Sequence, residues 1–407
     1  MTYASEGRQF DMRLAYAALI AGGTIAAINF GIRSGFGLYM EPISDKLGTG
    51  REVFSLAMAV QNLMWGLAQP FAGALADRFG PFKVLFWGGF IYAGGTAWMA
   101  VASDPLSFHL STGVLIGAAL AGTSFGLILS AVGQLFPPEK RSWAIGITAA
   151  AGSFGQFVFV PATRFMIDWV GWEETIWIGA AIALLMVPLS FVYRSVPPGG
   201  SAGASTDQSF GEALSEAFAY RSYWLLIGGF FVCGFHVAFI AVHLPSYVVD
   251  IGLSKDLGAW TLSLVGLFNV IGAYSAGVLG GKYSKRWLLS SLYLSRAVLI
   301  TIFILTPPTT ASVLIFGAVM GLLWLSTVPL TSSLVGQIFG TRYMSTLFGV
   351  VFLSHQLGAF LGVWLGGRLF DATGSYDLIW WIAIGLSLFS GLVHIPIREQ
   401  PILRVSA

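Results

Sequence analysis

Two arginines lie inside long apolar stretches of this 407-residue chain, Arg33 in NFGIRSGFGLYM and Arg296 in LYLSRAVLIT. A charge at such depth in a bilayer costs about 2.5–3.5 kcal/mol, so where it occurs it has a task. Three histidines share that environment: His236, His243 and His355. All 19 Asp and Glu residues, by contrast, fall in termini, connections or the ends of apolar runs. A cavity lined by these groups is neutral to positive and suits an anion. It suits neither an organic cation nor a proton carried on a buried carboxylate.

Arg33 can snorkel to a headgroup or line a polar cavity. Asn29, one helical turn earlier on the same face, favours the cavity. Asn269 and His355 are expected to complete the site ahead of Gln61, Asn62, Gln156, Tyr274, Thr327 and Gln356, because polar groups also serve to join helices. His236 and His243 are the candidates for carrying a coupling proton. Arg296 is expected to make a structural contact between helices. A membrane enzyme or receptor remains as a contrasting class, but the scattered histidines and absent buried acids offer neither a nucleophile with its base nor a metal cluster, and no cofactor is implied.

The elements that position these groups follow from composition. With 56% hydrophobic and only 10% charged residues, the chain cannot coat a water-soluble globule of its size. The net charge of +2 gives no reason to expect nucleic acid, and the single cysteine, Cys233, excludes an internal disulfide. A bilayer needs roughly 20 apolar helical residues per crossing. Six such runs lie near Leu14 to Met40, Phe54 to Ala76, Val84 to Ala102, Phe108 to Phe136, Ser142 to Ile167 and Thr175 to Tyr193. Six more lie near Tyr223 to Val249, Leu257 to Leu279, Trp287 to Leu305, Ala311 to Phe339, Tyr343 to Leu369 and Leu378 to Ile395. The expected fold is an all-α polytopic membrane protein of 12 transmembrane helices in two pseudo-symmetric six-helix bundles, residues 1–195 and 221–407, joined by a Pro-, Gly- and Ser-rich cytoplasmic linker over 196–220 with a short amphipathic helix at its end.

Basic residues orient the chain. Of 21 Lys and Arg, two are Arg33 and Arg296, and five (Lys46, Arg51, Arg164, Lys255, Arg368) fall on the side away from the N-terminus. The remaining fourteen share the N-terminal side, which the positive-inside rule makes cytoplasmic, with both termini there. The expected location is a bacterial inner (plasma) membrane, as a monomer.

One offset relates the halves. Adding 203 carries Gly133, Gln134 and Phe136 onto Gly336, Gln337 and Phe339, and Gly155, Asp168 and Gly171 onto Gly358, Asp371 and Gly374. The same shift carries Arg33 onto His236, so the two become expected facing partners across a central site.

The stretch GALADRFGPFK, Gly73 to Lys83, resembles the loop signature of the major facilitator superfamily. The resemblance implies alternating access between two bundles, with Gly73, Asp77, Arg78, Gly80 and Lys83 as gating residues and Asp77 meeting the N-terminal end of the eleventh helix near Arg342 to Ser345. The first span, FGIRSGFGLYMEPI, is similar to that of the monocarboxylate transporter and oxalate:formate antiporter branch, with Arg33 where that branch has a lysine. The branch's eighth-helix pattern N-x-x-G-R reads Asn269, Val270, Ile271, Gly272, Ala273 here, so Arg33, with histidine support, is left to hold the anion. The function implied is secondary transport of a small organic anion, a carboxylate, by proton symport or anion exchange. Export of a hydrophobic or amphipathic compound is the alternative, favoured by the aromatic content and disfavoured by the missing membrane acid.

Overall fold

The computed structural model describes residues 2–5, 8–196, 209–340 and 343–402. A short antiparallel hairpin, Thr2–Ser5 with Arg8–Asp11, precedes the helices and was not expected in an all-α chain. Asp11 then caps the first span, accepting from the backbone N–H of Arg13 at 3.0 Å.

Because a bilayer core offers the backbone no hydrogen-bond partner, the apolar runs form helices. The first span, Met12–Leu47, is a helix over Met12–Ser34, a tight turn over Phe36–Tyr39 and a second helix over Met40–Leu47. The second to sixth are Arg51–Phe79, Pro81–Val101, Pro105–Leu135, Pro138–Val170 and Trp172–Ser195. After the linker helix Phe210–Ala219 come the seventh to twelfth: Arg221–Asp250, Lys255–Gly280, Lys285–Leu305, Thr310–Phe339, Met344–Thr373 and Asp377–His394. Eleven segments among the described residues are long and apolar enough to cross a membrane. The second falls short of that mark in apolarity, since Gln61, Asn62 and Gln69 dilute it, although its 29 residues reach about 43 Å.

Proline at the first helical position starts the third, fourth and fifth spans, where its missing N–H costs nothing. Asp104, in the connection before the fourth span, accepts the Ser107 N–H at 3.0 Å, and that bond holds its carboxyl below the ordinary carboxylate range. Ser209 and Glu212 form a capping box on the linker helix, the short amphipathic helix that the sequence predicted.

The packing repeats with a step of six spans. The first lies on the fifth as the seventh lies on the eleventh; the second lies on the fourth as the eighth lies on the tenth; the third lies on the sixth as the ninth lies on the twelfth. The halves meet through second on eleventh and fifth on eighth, again a symmetric pair. Gly155 and Gly358, related by the offset of 203, each let two of these helices touch backbone to backbone, against Ala27 and Phe231 respectively. The fourth and tenth spans are both interrupted, at Thr123–Ser124 and at Trp324–Ser326, where the sequence predicted unbroken runs.

Candidate functional site

Arg33 does not snorkel. Its guanidinium reaches the middle of the second span, where Nη2 donates to Asn62 Oδ1 at 2.5 Å and the cation stands 5.1 Å from the Trp65 ring. Asn62 is held for this by donating to Met58 O at 2.8 Å. Trp65 is fixed in turn by donating to Gln69 Oε1 at 3.0 Å, and Gln69 donates to Ser124 Oγ at 2.8 Å. The other half supplies the facing wall. Phe352 of the eleventh span meets Trp65 edge to face at 5.5 Å, and His355 stacks on Phe352 at 5.6 Å. His355 shares a hydrogen bond of 3.1 Å with Gln356 Oε1, and the stem of Gln356 packs on Gly66, one turn beyond Asn62. A half-buried cation thus lies beside an aromatic wall contributed by both halves.

The other expected site residues go elsewhere. Asn29 is buried and donates to the backbone oxygen of Thr123 at 3.0 Å and to its hydroxyl at 2.5 Å, at the interruption of the fourth span. Four residues advance a helix by about 400°, and that extra rotation is enough to send Asn29 and Arg33 to different neighbours. His236 is fully buried and shares a 2.9 Å hydrogen bond with Ala383 O of the twelfth span, so the structure does not bring it to Arg33. The repeat relates backbones, whereas the direction of each side chain is set by its own neighbours. Asn269 bridges the halves: it donates to Ser153 Oγ at 2.9 Å and accepts the Leu325 N–H, freed by the interruption of the tenth span, at 3.0 Å. Arg296 makes the structural contact expected of it, donating to the carbonyls of Leu323 and Trp324 at that same interruption, each at 2.5 Å. Aromatic residues Trp65 and Phe352 were not singled out by sequence reasoning.

At the end away from the N-terminus the halves are bolted together. Arg51 pairs with Asp250 at 2.5 Å, donates to Tyr376 OH at 3.1 Å and lies 3.9 Å from the Phe370 ring. Glu52 pairs with Arg368 at 3.0 Å, and Arg164 bridges Asp168 and Asp256. Asp371 accepts the N–H groups of Arg51 and Glu52 at 2.9 and 2.7 Å, capping the second span from the other half. Behind this layer, His243 Nδ1 lies 2.9 Å from Tyr376 OH and its Nε2 lies 2.8 Å from Val363 O. The ring donates to the carbonyl and accepts from the phenol, an arrangement that suits a neutral imidazole. Towards the N-terminal side, Gly73, Gly146, Gly277 and Gly349 have open space beside them.

In the Gly73 to Lys83 stretch, Gly80 has φ +86° and makes the sharp turn between the second and third spans. Arg78 and Lys83 both lie against the Phe79 ring, at 5.2 and 5.5 Å. Gly73 supports no close helix approach in this arrangement. The expected meeting of Asp77 with the start of the eleventh span near Arg342 to Ser345 lies outside the described residues.

The Major Facilitator Superfamily profile matches residues 22–363. The chain is 26% identical over 352 residues to an oxalate:formate antiporter of Oxalobacter formigenes, covering 83% of this chain and 81% of that protein. It is 25% identical over 382 residues to monocarboxylate transporter 13 of Bos taurus, covering 90% of this chain and 85% of that protein. Its backbone matches an inward-facing, unoccupied crystal structure of a bacterial homolog of the human lysosomal transporter Spinster, with a TM-score of 0.73 at 18% identity over 94% of each chain.

Proposed function

We propose a cargo and a cycle for this chain, which belongs to the major facilitator superfamily and is an integral membrane transporter rather than an enzyme: it moves a small organic anion, a carboxylate, by alternating access around Arg33. The observation that carries the proposal is the position of Arg33, half-buried against Trp65, which meets Phe352 of the other half, with no acid paired to it among the described residues. The named activities of the oxalate:formate antiporter and the monocarboxylate transporter support the same cargo class.

The charge of the site favours exchange. Empty, the site holds an uncompensated cation that is costly to occlude; loaded with a carboxylate, it is neutral. The loaded form therefore crosses between states more readily than the empty one, and one anion returns for each that leaves. Proton symport is the second reading, motivated by His243, buried between the halves with Nδ1 2.9 Å from Tyr376 OH. The distribution of basic residues supports cytoplasmic termini, and the ion-paired layer at the other end supports reading this arrangement as inward-facing.

The test is binding of a radiolabelled small carboxylate to the purified protein. Arg33→Ala is expected to abolish binding while the variant still folds; unaltered affinity would refute the assignment. A substrate of the alternative class, a neutral amphipathic compound, would bind both proteins alike.

A further inference from the structure

We propose that a groove on the N-terminal side of the first half binds the headgroup of an anionic phospholipid, whose acyl chains lie on the adjoining aromatic face. The groove, about 550 Å³, opens where the third span starts and the sixth ends, between Gly80, Lys83, Arg194 and Val196. Both helices terminate there, at the depth where headgroups meet a spanning protein. Lys83 and Arg194 are exposed and make no ion pair among the described residues; Lys83 lies only against the Phe79 ring. Basic pockets between spans at this level recognise lipid phosphates. Beside the charges the wall is aromatic. Phe191 meets Phe82 at 5.1 Å and Phe86 at 5.8 Å, and the row runs on through Trp87 to Phe90, both more than half exposed on a membrane span. Cations at one end and exposed rings at the other match the two ends of a phospholipid.

The second half shows which group fits. The offset of 203 carries Lys83 onto Arg286, at the start of the ninth span, and Val196 onto Glu399, just past the twelfth. There the chain supplies its own anion: Glu399 Oε1 accepts the Ser284 hydroxyl at 2.7 Å and the Arg286 N–H at 2.6 Å, on the positive end of the ninth helix. The Arg286 side chain turns to the carbonyls of Ile395 and Ile397, at 3.3 and 3.2 Å. In the first half a valine stands where that carboxylate would be, beside the equivalent helix start, two cations and an open groove. An external anion completes the match, and the exposed rings make a lipid rather than free phosphate its source.

The experiment is native mass spectrometry of the purified full-length protein in detergent, titrated with phosphatidylglycerol or with phosphatidylcholine of the same chains, and with inorganic phosphate as competitor. One phosphatidylglycerol is expected to bind at least fivefold tighter than phosphatidylcholine. Arg194→Gln and Lys83→Gln are each expected to remove that preference, whereas Lys282→Gln, an exposed charge on the same side of the second half, should leave it intact. Equal binding of the two lipids, or a preference that survives both groove substitutions, would overturn the site. Displacement of the lipid by inorganic phosphate would overturn the lipid as its occupant. The groove is separate from Arg33, so none of these outcomes bears on the cargo.

Discussion

Arg33 and Arg296 are both charges inside apolar helices, and their surroundings divide their labour. Arg33 is partly buried beside an aromatic wall, with its Nη2 on the Asn62 side-chain oxygen. Arg296 is closed off and spends its charge on two carbonyls that the tenth span would otherwise leave unpaired. Arg296→Gln should therefore lower thermal stability by about 1–3 kcal/mol, the cost of unsatisfied buried polar groups. It should leave carboxylate affinity within about twofold, whereas Arg33→Gln should do the reverse; a stability screen beside a binding titration separates the two. Arg33 was legible in the sequence because a charge inside apolar text is rare. Its wall was not legible, since Trp65 and Phe352 are two among 14 Trp and 32 Phe residues and nothing in their spacing marks them. The direction of His236 was equally hidden, because an offset between repeats carries positions and not rotamers.

At the scale of elements, the repeat seen in sequence identities reappears as packing. Gly155 and Gly358 match because each lies against a neighbouring backbone, so adding a side chain forces two helices apart. Gly358→Val is expected to destabilise the protein by about 1–3 kcal/mol, read as a lower unfolding temperature in detergent. The interruption of the fourth span escaped sequence reading because its apolar text runs through Thr123 without a proline or charge, whereas that of the tenth had a signal in Pro329, which has no N–H to offer the carbonyl of Leu325. They are held by polar side chains from neighbouring helices: Asn29 and Gln69 in the first half, Asn269 and Arg296 in the second. The outer layer depends on a cap given across the halves. Removing it with Asp371→Ala costs about 1 kcal/mol of closed-state stability, within the usual range for a helix cap. That shifts the balance towards the state open at this end about fivefold. Accessibility of a cysteine placed at Ser55, which lies behind the layer, should rise in step; unchanged accessibility would remove Asp371 from the gate.

For the molecule as a whole, the halves are alike in backbone and unlike in charge at the centre. The first half contributes the cation with the Phe30 and Trp65 rings, and the second contributes Phe352, His355 and the Gln356 amide. Cross-half contacts run from the outer ion pairs down to Asn269 with Ser153 and Trp65 with Phe352. Alternating access would close the opposite end around loaded Arg33 and release the outer layer. The most direct measurement is uptake of a labelled small carboxylate into proteoliposomes with and without the same unlabelled carboxylate inside. The internal anion is expected to accelerate uptake at least tenfold, and Arg33→Gln to abolish it. Uptake that ignores the internal anion, or that survives loss of the guanidinium, would contradict exchange around Arg33.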